Sequence, residues 1–166
     1  MPNLDIRVSR YDDPDAKRLI DEVQQEYVVR YGSPDASPVD PEQFADPDGV
    51  FLIGYDDGAP VAMGGWRRHG PEHPETAWAA PAAEIKRMYV TESARGLGYA
   101  RAVLAQLEAT AVVAGIRWLL LETGQRQPEA IALYRSAGYE SVPAFGHYAD
   151  AELSIHLGRR VSEESA

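Results

Sequence analysis

Cysteine is absent from the 166 residues. That excludes disulfides, a thiolate nucleophile and cysteine-ligated zinc. Basic residues are scarce: 16 Lys and Arg stand against 26 Asp and Glu, for a formal charge of -10. Such a surface repels nucleic acid, so no nucleic-acid partner is expected, although a local basic patch can still hold a phosphate. No apolar run approaches the roughly 18 residues that cross a bilayer. The opening stretch MPNLDIRVSRYDD lacks the basic and apolar regions of a secretory signal. No membrane partner is expected, and a cytoplasmic location is the default. Two chemical signatures are missing as well. There is no Gly-Lys pair for a phosphate-binding P-loop and no G-x-S-x-G elbow for a serine hydrolase.

What remains is an ordinary globular composition, 45% hydrophobic and 25% charged, long enough to bury one core. A single domain over 1–158 is expected, with 159–166 a disordered tail. Ile6 and Val8 alternate with Arg7 and Ser9 as in a half-buried strand. Asp13-Pro14 is an N-cap and first-turn signal for a helix carrying Ala16, Leu19, Ile20, Val23, Tyr27 and Tyr31. A short helix is expected over Pro41 to Asp46. Asp57-Gly58 marks a hairpin between VFLIGY and PVAMGGW, and RRHGPEHPET is read as a loop.

Residues Ala83 to Val90 form the next strand, and Leu97 to Ala114 have the spacing of an amphipathic helix ending at Gly115. IRWLLLET is a strand covered on both faces, followed by a helix from Pro128 to Gly138. YESVPAFGHY and AELSIHL are read as two final strands. Hairpins followed by alternating strands and helices predict an α/β (α+β) fold with a mixed, mainly antiparallel sheet.

The chemistry concentrates between strand and helix, at Arg95-Gly96-Leu97-Gly98-Tyr99-Ala100. A dinucleotide fingerprint would need a third glycine where Arg101 stands. The pattern that fits is [RQ]-x-x-G-x-[GA]: glycine and alanine let backbone amides approach an anion, and the helix dipole adds favourable potential. Arg95 and Arg101 bring positive charge to an acidic protein. A plain strand-to-helix turn has the same outline.

With its flanking elements and the later segment PEAIALYRSAGY, residues 82–139 resemble the core of the GNAT superfamily of N-acetyltransferases. The resemblance implies acetyl-coenzyme A as acyl donor, held by the amides of Arg95, Gly96, Leu97, Gly98, Tyr99, Ala100 and Arg101. It implies that Met88, Tyr89 and Val90 splay from the next strand toward the pantetheine arm. Gln127 would take the place of an asparagine common in the family. Glu84, eleven residues before Arg95, becomes the candidate base, the alternative being a carboxylate paired with Lys86 or Arg87. Tyr134 becomes the candidate acid toward the thiolate, the alternative being a core aromatic. Without cysteine to carry the acyl group, direct attack by a small-molecule or peptide amine is favoured, in a monomer or homodimer.

Tyr27, Trp66, Phe145 and Tyr148 are the aromatic candidates for the acceptor wall. A non-catalytic coenzyme-binding module and a different acyl donor are the alternatives; Arg67 and Arg68 would suit a donor carboxylate if they faced the site. His69 and His73 flank Glu72, but Gly70, Pro71 and Pro74 exclude the regular helix that a metal pair would need, so no metal is expected.

Overall fold

The computed structural model describes residues 3–163. Strand β1 (Asp5–Val8) leads into helix α1 (Pro14–Tyr31). The Asp13 carboxylate accepts the Asp15 amide at 2.9 Å, Pro14 begins the helix, and Gly32 ends it at φ 83°. These are the start and stop signals that the sequence carries. Asp13→Ala should therefore cost about 1 kcal/mol of unfolding free energy; a urea midpoint equal to wild type would show that the cap contributes nothing.

Strands β2 (Gly49–Asp56) and β3 (Ala59–His69) form the hairpin. Asp57 and Gly58 both have positive φ, 49° and 80°, as a two-residue turn matched to strand twist requires. Then come β4 (Ala82–Val90), α2 (Tyr99–Val113), β5 (Trp118–Gly124), α3 (Pro128–Ser136), β6 (Glu140–Ser141) and β7 (Ser154–Arg160). Short 3₁₀ turns occupy Pro41–Phe44, Pro74–Ala79 and Glu92–Ala94.

The seven strands form one sheet in the order β1-β2-β3-β4-β5-β7-β6, antiparallel throughout except for the β4–β5 pair. Helices α2 and α3 cover one face through Leu104, Leu107 and Tyr134 over Leu119 and Leu121. Helix α1 and Phe44 cover the other through Leu19 and Val23 over Phe51, Ile53 and Met63. Among the described residues no helix is long and apolar enough to cross a membrane.

Three expectations are corrected. Arg67, Arg68 and His69 belong to β3 rather than to a loop, because each lies opposite a β4 residue (Glu84, Ala83 and Ala82). YESVPAFGHY is strand only at Glu140–Ser141; Pro143 has no amide to donate, and Gly146 turns at φ 74°. The expected tail is strand at Arg159 and Arg160, and the Val161 amide still donates to Arg117 O at 2.8 Å. The last three residues of that tail, 164–166, lie outside the described residues.

Candidate active site

The parallel β4–β5 pair is joined over only three positions, Ala82 with Trp118 through Glu84 with Leu120. Beyond them the strands diverge. A bulge in β4, where three steps oppose two in β3, puts Arg87 at φ 62° and bends the strand away from β5. The V-shaped opening is the floor of the site.

At its outer end, a cleft of about 320 Å³ runs beneath the glycine turn. Met88, Tyr89, Val90, Arg95, Gly96, Gly98, Tyr99, Ala100, Arg101 and Gln127 all line it. Leu97 does not; its side chain is 53% exposed. Gly96 and Gly98 sit at φ 81° and 82°, where an L side chain is strained. Gly98 is the N-cap of α2, and no side chain caps that end. The first-turn amides therefore remain available to an anion. Arg95 is anchored by Glu26 at 2.8 Å and by Val90 O at 3.0 Å, and Arg101 by Ser136 at 2.6 Å.

The cleft opens into a second cavity of about 210 Å³. Met88, Gln127, Ala130 and Tyr134 line both spaces. Tyr134 is buried, with its ring edge-on to Tyr139 at 5.7 Å. Burial raises the pKa of its phenol well above the usual value, and no protein group hydrogen-bonds the hydroxyl among the described residues. It is a protonated donor at neutral pH. Tyr27 and Tyr148 also line this cavity. The Tyr148 hydroxyl donates to Asp35 at 2.8 Å, and burial together with Asp35 raises its pKa to about 12.

Beyond lies a polar chamber of about 260 Å³, joined to the second cavity through Lys86, Glu122 and Tyr148. Glu84 sits there, 7% exposed, held by Arg67 at 3.2 Å and His69 at 3.1 Å. Burial opposes its ionisation, but the His69 hydrogen bond, Lys86 and Arg67 outweigh it and keep the carboxyl at about 2. Asp35 is a second fixed anion. Burial opposes its charge too, yet Lys86 at 3.2 Å, the Ser37 amide, Tyr148 and Arg87 at 3.0 Å hold it below the usual carboxylate range.

The sequence matches the acetyltransferase (GNAT) family over residues 17–139. The chain belongs to that family. It is 33% identical over 158 residues to a curated relative, the IAA acetyltransferase of Azospirillum brasilense, covering 95% of this chain and 97% of that protein. A solved Klebsiella pneumoniae protein classed as an acyl-CoA N-acyltransferase superposes with a TM-score of 0.75 at 27% identity, covering 96% and 99% of the two chains. The Salmonella typhimurium protein yncA, solved with its cofactor acetyl-CoA, shares the fold with a TM-score of 0.67 at 17% identity, over 99% and 97%. This GNAT protein is accordingly an acyltransferase, and its family uses acetyl-coenzyme A.

Not every expected residue reaches the GNAT cleft. Trp66 faces α2, buried in the core with its indole N–H on Thr110 at 3.0 Å, and is removed from the acceptor wall. Phe145 is buried against Ala79, Ala82 and Leu120 and touches only the polar chamber. Arg68 points away, donating to the carbonyls of Pro47 and Ala114. His69 and His73 stack ring on ring at 4.0 Å, and His69 is engaged by Glu84 and Thr76. Two site residues escape a reading of the sequence. Asp35 lies in a loop without any pattern. Glu122 carries a signal, being the one charge in the strand WLLLETG.

Proposed function

We propose that the protein is an N-acetyltransferase that passes an acetyl group from acetyl-coenzyme A directly to an amine acceptor. The observation that carries this reading is the junction at Tyr134, where a cleft beneath an uncapped helix N-terminus meets a second cavity on the opened β4–β5 pair. The residues present fit the coenzyme. Gly96 has no atom within 4 Å of where a Cβ would stand, so the turn is open toward a ligand, and the α2 amides lack a competing cap. Bound there, the coenzyme supplies the activated acyl group.

The chain supplies the rest. The α2 amides and Arg101 hold the pyrophosphate, and the walls from Met88 to Val90 guide the arm inward. Tyr134 gives its proton to the sulfur. Glu84, expected as the base from its spacing, is a weak proton acceptor in its paired state; its setting favours a role through charge. Arg67 is engaged by Glu84, Gln43 and Pro38, and Arg68 is remote, so neither selects an acidic acyl donor. This supports acetyl as the group transferred.

Calorimetric titration with acetyl-coenzyme A, against adenosine 3′,5′-bisphosphate as control, tests the reading. Micromolar affinity above the control supports it, and no heat at millimolar ligand overturns it. In the same assay Gly98→Val should weaken binding about tenfold, since a left-handed residue with a Cβ costs roughly 1–2 kcal/mol. An unchanged Kd would take the turn out of the site.

A further inference from the structure

Resting on the acetyl-transfer reading, we propose that the acceptor is a small aminocarboxylate, a free α-amino acid, whose carboxylate is bound by Lys86 and Arg87. The observation that carries this is a local excess of buried positive charge. Lys86 and Arg87 are neighbours in β4, and both line the cavity that holds Tyr134. Adjacent strand residues ordinarily point to opposite faces. The bulge, with Arg87 at φ 62°, instead brings both side chains to Asp35. They are 9% and 5% exposed. Both share one oxygen: Asp35 Oδ2 accepts Lys86 Nζ at 3.2 Å and Arg87 Nη1 at 3.0 Å. The other oxygen of Asp35 is taken by the Tyr148 hydroxyl at 2.8 Å and the Ser37 amide at 2.9 Å.

One carboxylate therefore serves two cations where little water reaches, and a buried charge without a full partner is costly. Donors are left over as well. Lys86 has three N–H groups, of which Ser37 Oγ takes one at 2.6 Å and Asp35 another. Arg87 gives its Nε to the Tyr11 hydroxyl at 3.0 Å, and its Nη2 has no hydrogen-bond partner among the described residues. Arg67, on the chamber wall, has Glu84 to itself among the guanidinium groups.

The negative counterpart stands apart. Glu122 lines both the cavity and the polar chamber, as Lys86 does. Ser154 donates to it at 2.7 Å, and no cation lies within 4 Å of it among the described residues. A positive pole and a negative pole at one junction complement a molecule that carries an ammonium and a carboxylate close together. A plain amine meets only the negative pole and leaves the two cations as they are. The same cations would also suit a carboxylate on the acyl group, so the test separates the two sources.

The reaction balances. The nitrogen bonds to the acetyl carbon and the carbon–sulfur bond breaks with its electron pair on sulfur. The ammonium gives up two protons, one matched by the proton that sulfur gains and one released to water. The products are the N-acetylated acid and free coenzyme A.

Thiol release by the full chain is followed with acetyl-coenzyme A and the common α-amino acids, led by phenylalanine because Tyr27, Tyr31 and Tyr148 wall the cavity. Each acid is compared with its amide, and phenylalanine also with phenylethylamine. The best acid should exceed its amide roughly 10- to 100-fold in kcat/KM, the worth of a hydrogen bond to a charged group. Lys86→Met should abolish that ratio, chiefly through KM for the acid, and Lys86→Arg, which keeps the charge, should retain it. Acetyl-coenzyme A affinity, measured in parallel, shows that each variant keeps its cleft; where Lys86→Met does not fold, the wild-type ratio decides. Amides or phenylethylamine acetylated as well as the acids overturn the proposal and leave the transfer reading standing. So does a ratio that Lys86→Met leaves unchanged. A faster reaction of succinyl-coenzyme A with phenylethylamine than of acetyl-coenzyme A with any acid overturns it too, and moves the carboxylate to the donor. If the wild type binds acetyl-coenzyme A but acetylates no member of the panel, the transfer reading itself fails, and the proposal with it.

Discussion

Glu84→Ala should lower the unfolding free energy by about 3–5 kcal/mol, because it leaves Arg67 and His69 in the interior without their shared anion. The side chains of Arg67 and Glu84 are 11% and 9% exposed and that of His69 is 1% exposed, so little bulk water reaches the cluster, and what enters the polar chamber carries no charge to replace the carboxylate. Arg67 keeps Gln43 and the Pro38 carbonyl on one guanidinium nitrogen, but its other two bonds go to Glu84. A domain of this size has a total of about 5–15 kcal/mol, so the variant is close to the edge of folding. Urea denaturation at neutral pH measures the loss. A change below about 1 kcal/mol would mean that Arg67 finds another partner. The wild type carries the same dependence in its pH profile. A carboxyl depressed from 4.5 to about 2 adds stability above pH 4.5, and that stability is lost as pH falls from there toward 2. In Glu84→Ala that part of the acid slope should vanish.

Much of the fold was legible because local chemistry and final structure agree. Asp13-Pro14, Asp57-Gly58 and Gly138 each do in three dimensions what their backbone preferences dictate. The glycine turn was legible for the same reason. What failed needed non-local information. Trp66 is an aromatic on a strand, and only the register of β3 against β4, set by the bulge, decides that it faces α2. Arg67 and His69 look like loop residues until Glu84, from a different strand, gives both a buried partner. Asp35 becomes a site residue only when the loop after α1 folds over Lys86 and Arg87, 51 and 52 residues away along the chain. Glu122 was hidden by its neighbours: three leucines before it mark a covered strand, but covering stops where β4 leaves β5. The opening that makes the site also breaks the pattern from which the strand was read.

Tyr134→Phe should reduce kcat by about 100- to 1,000-fold while leaving acetyl-coenzyme A affinity within about twofold of wild type. The substitution removes one oxygen and keeps the ring that packs on Tyr139. Because the hydroxyl has no protein hydrogen-bond partner among the described residues, its loss strands no donor or acceptor, and stability should stay near wild type. That separates chemistry from packing, which the two roles open to this residue require. A thiolate with an ordinary pKa near 8.5 can leave without a proton in water. In a buried cavity its charge is costly, and the raised pKa of Tyr134 keeps the phenol protonated until sulfur demands the proton. Single-turnover rates isolate this step from product release. A lower rate with unchanged Kd assigns the proton to Tyr134. Loss of rate and affinity together would make the residue a wall of the cleft. An unchanged rate would leave it a core aromatic and require the thiolate to draw its proton from solvent through the polar chamber, where Glu122 and Lys86 stand at the entrance.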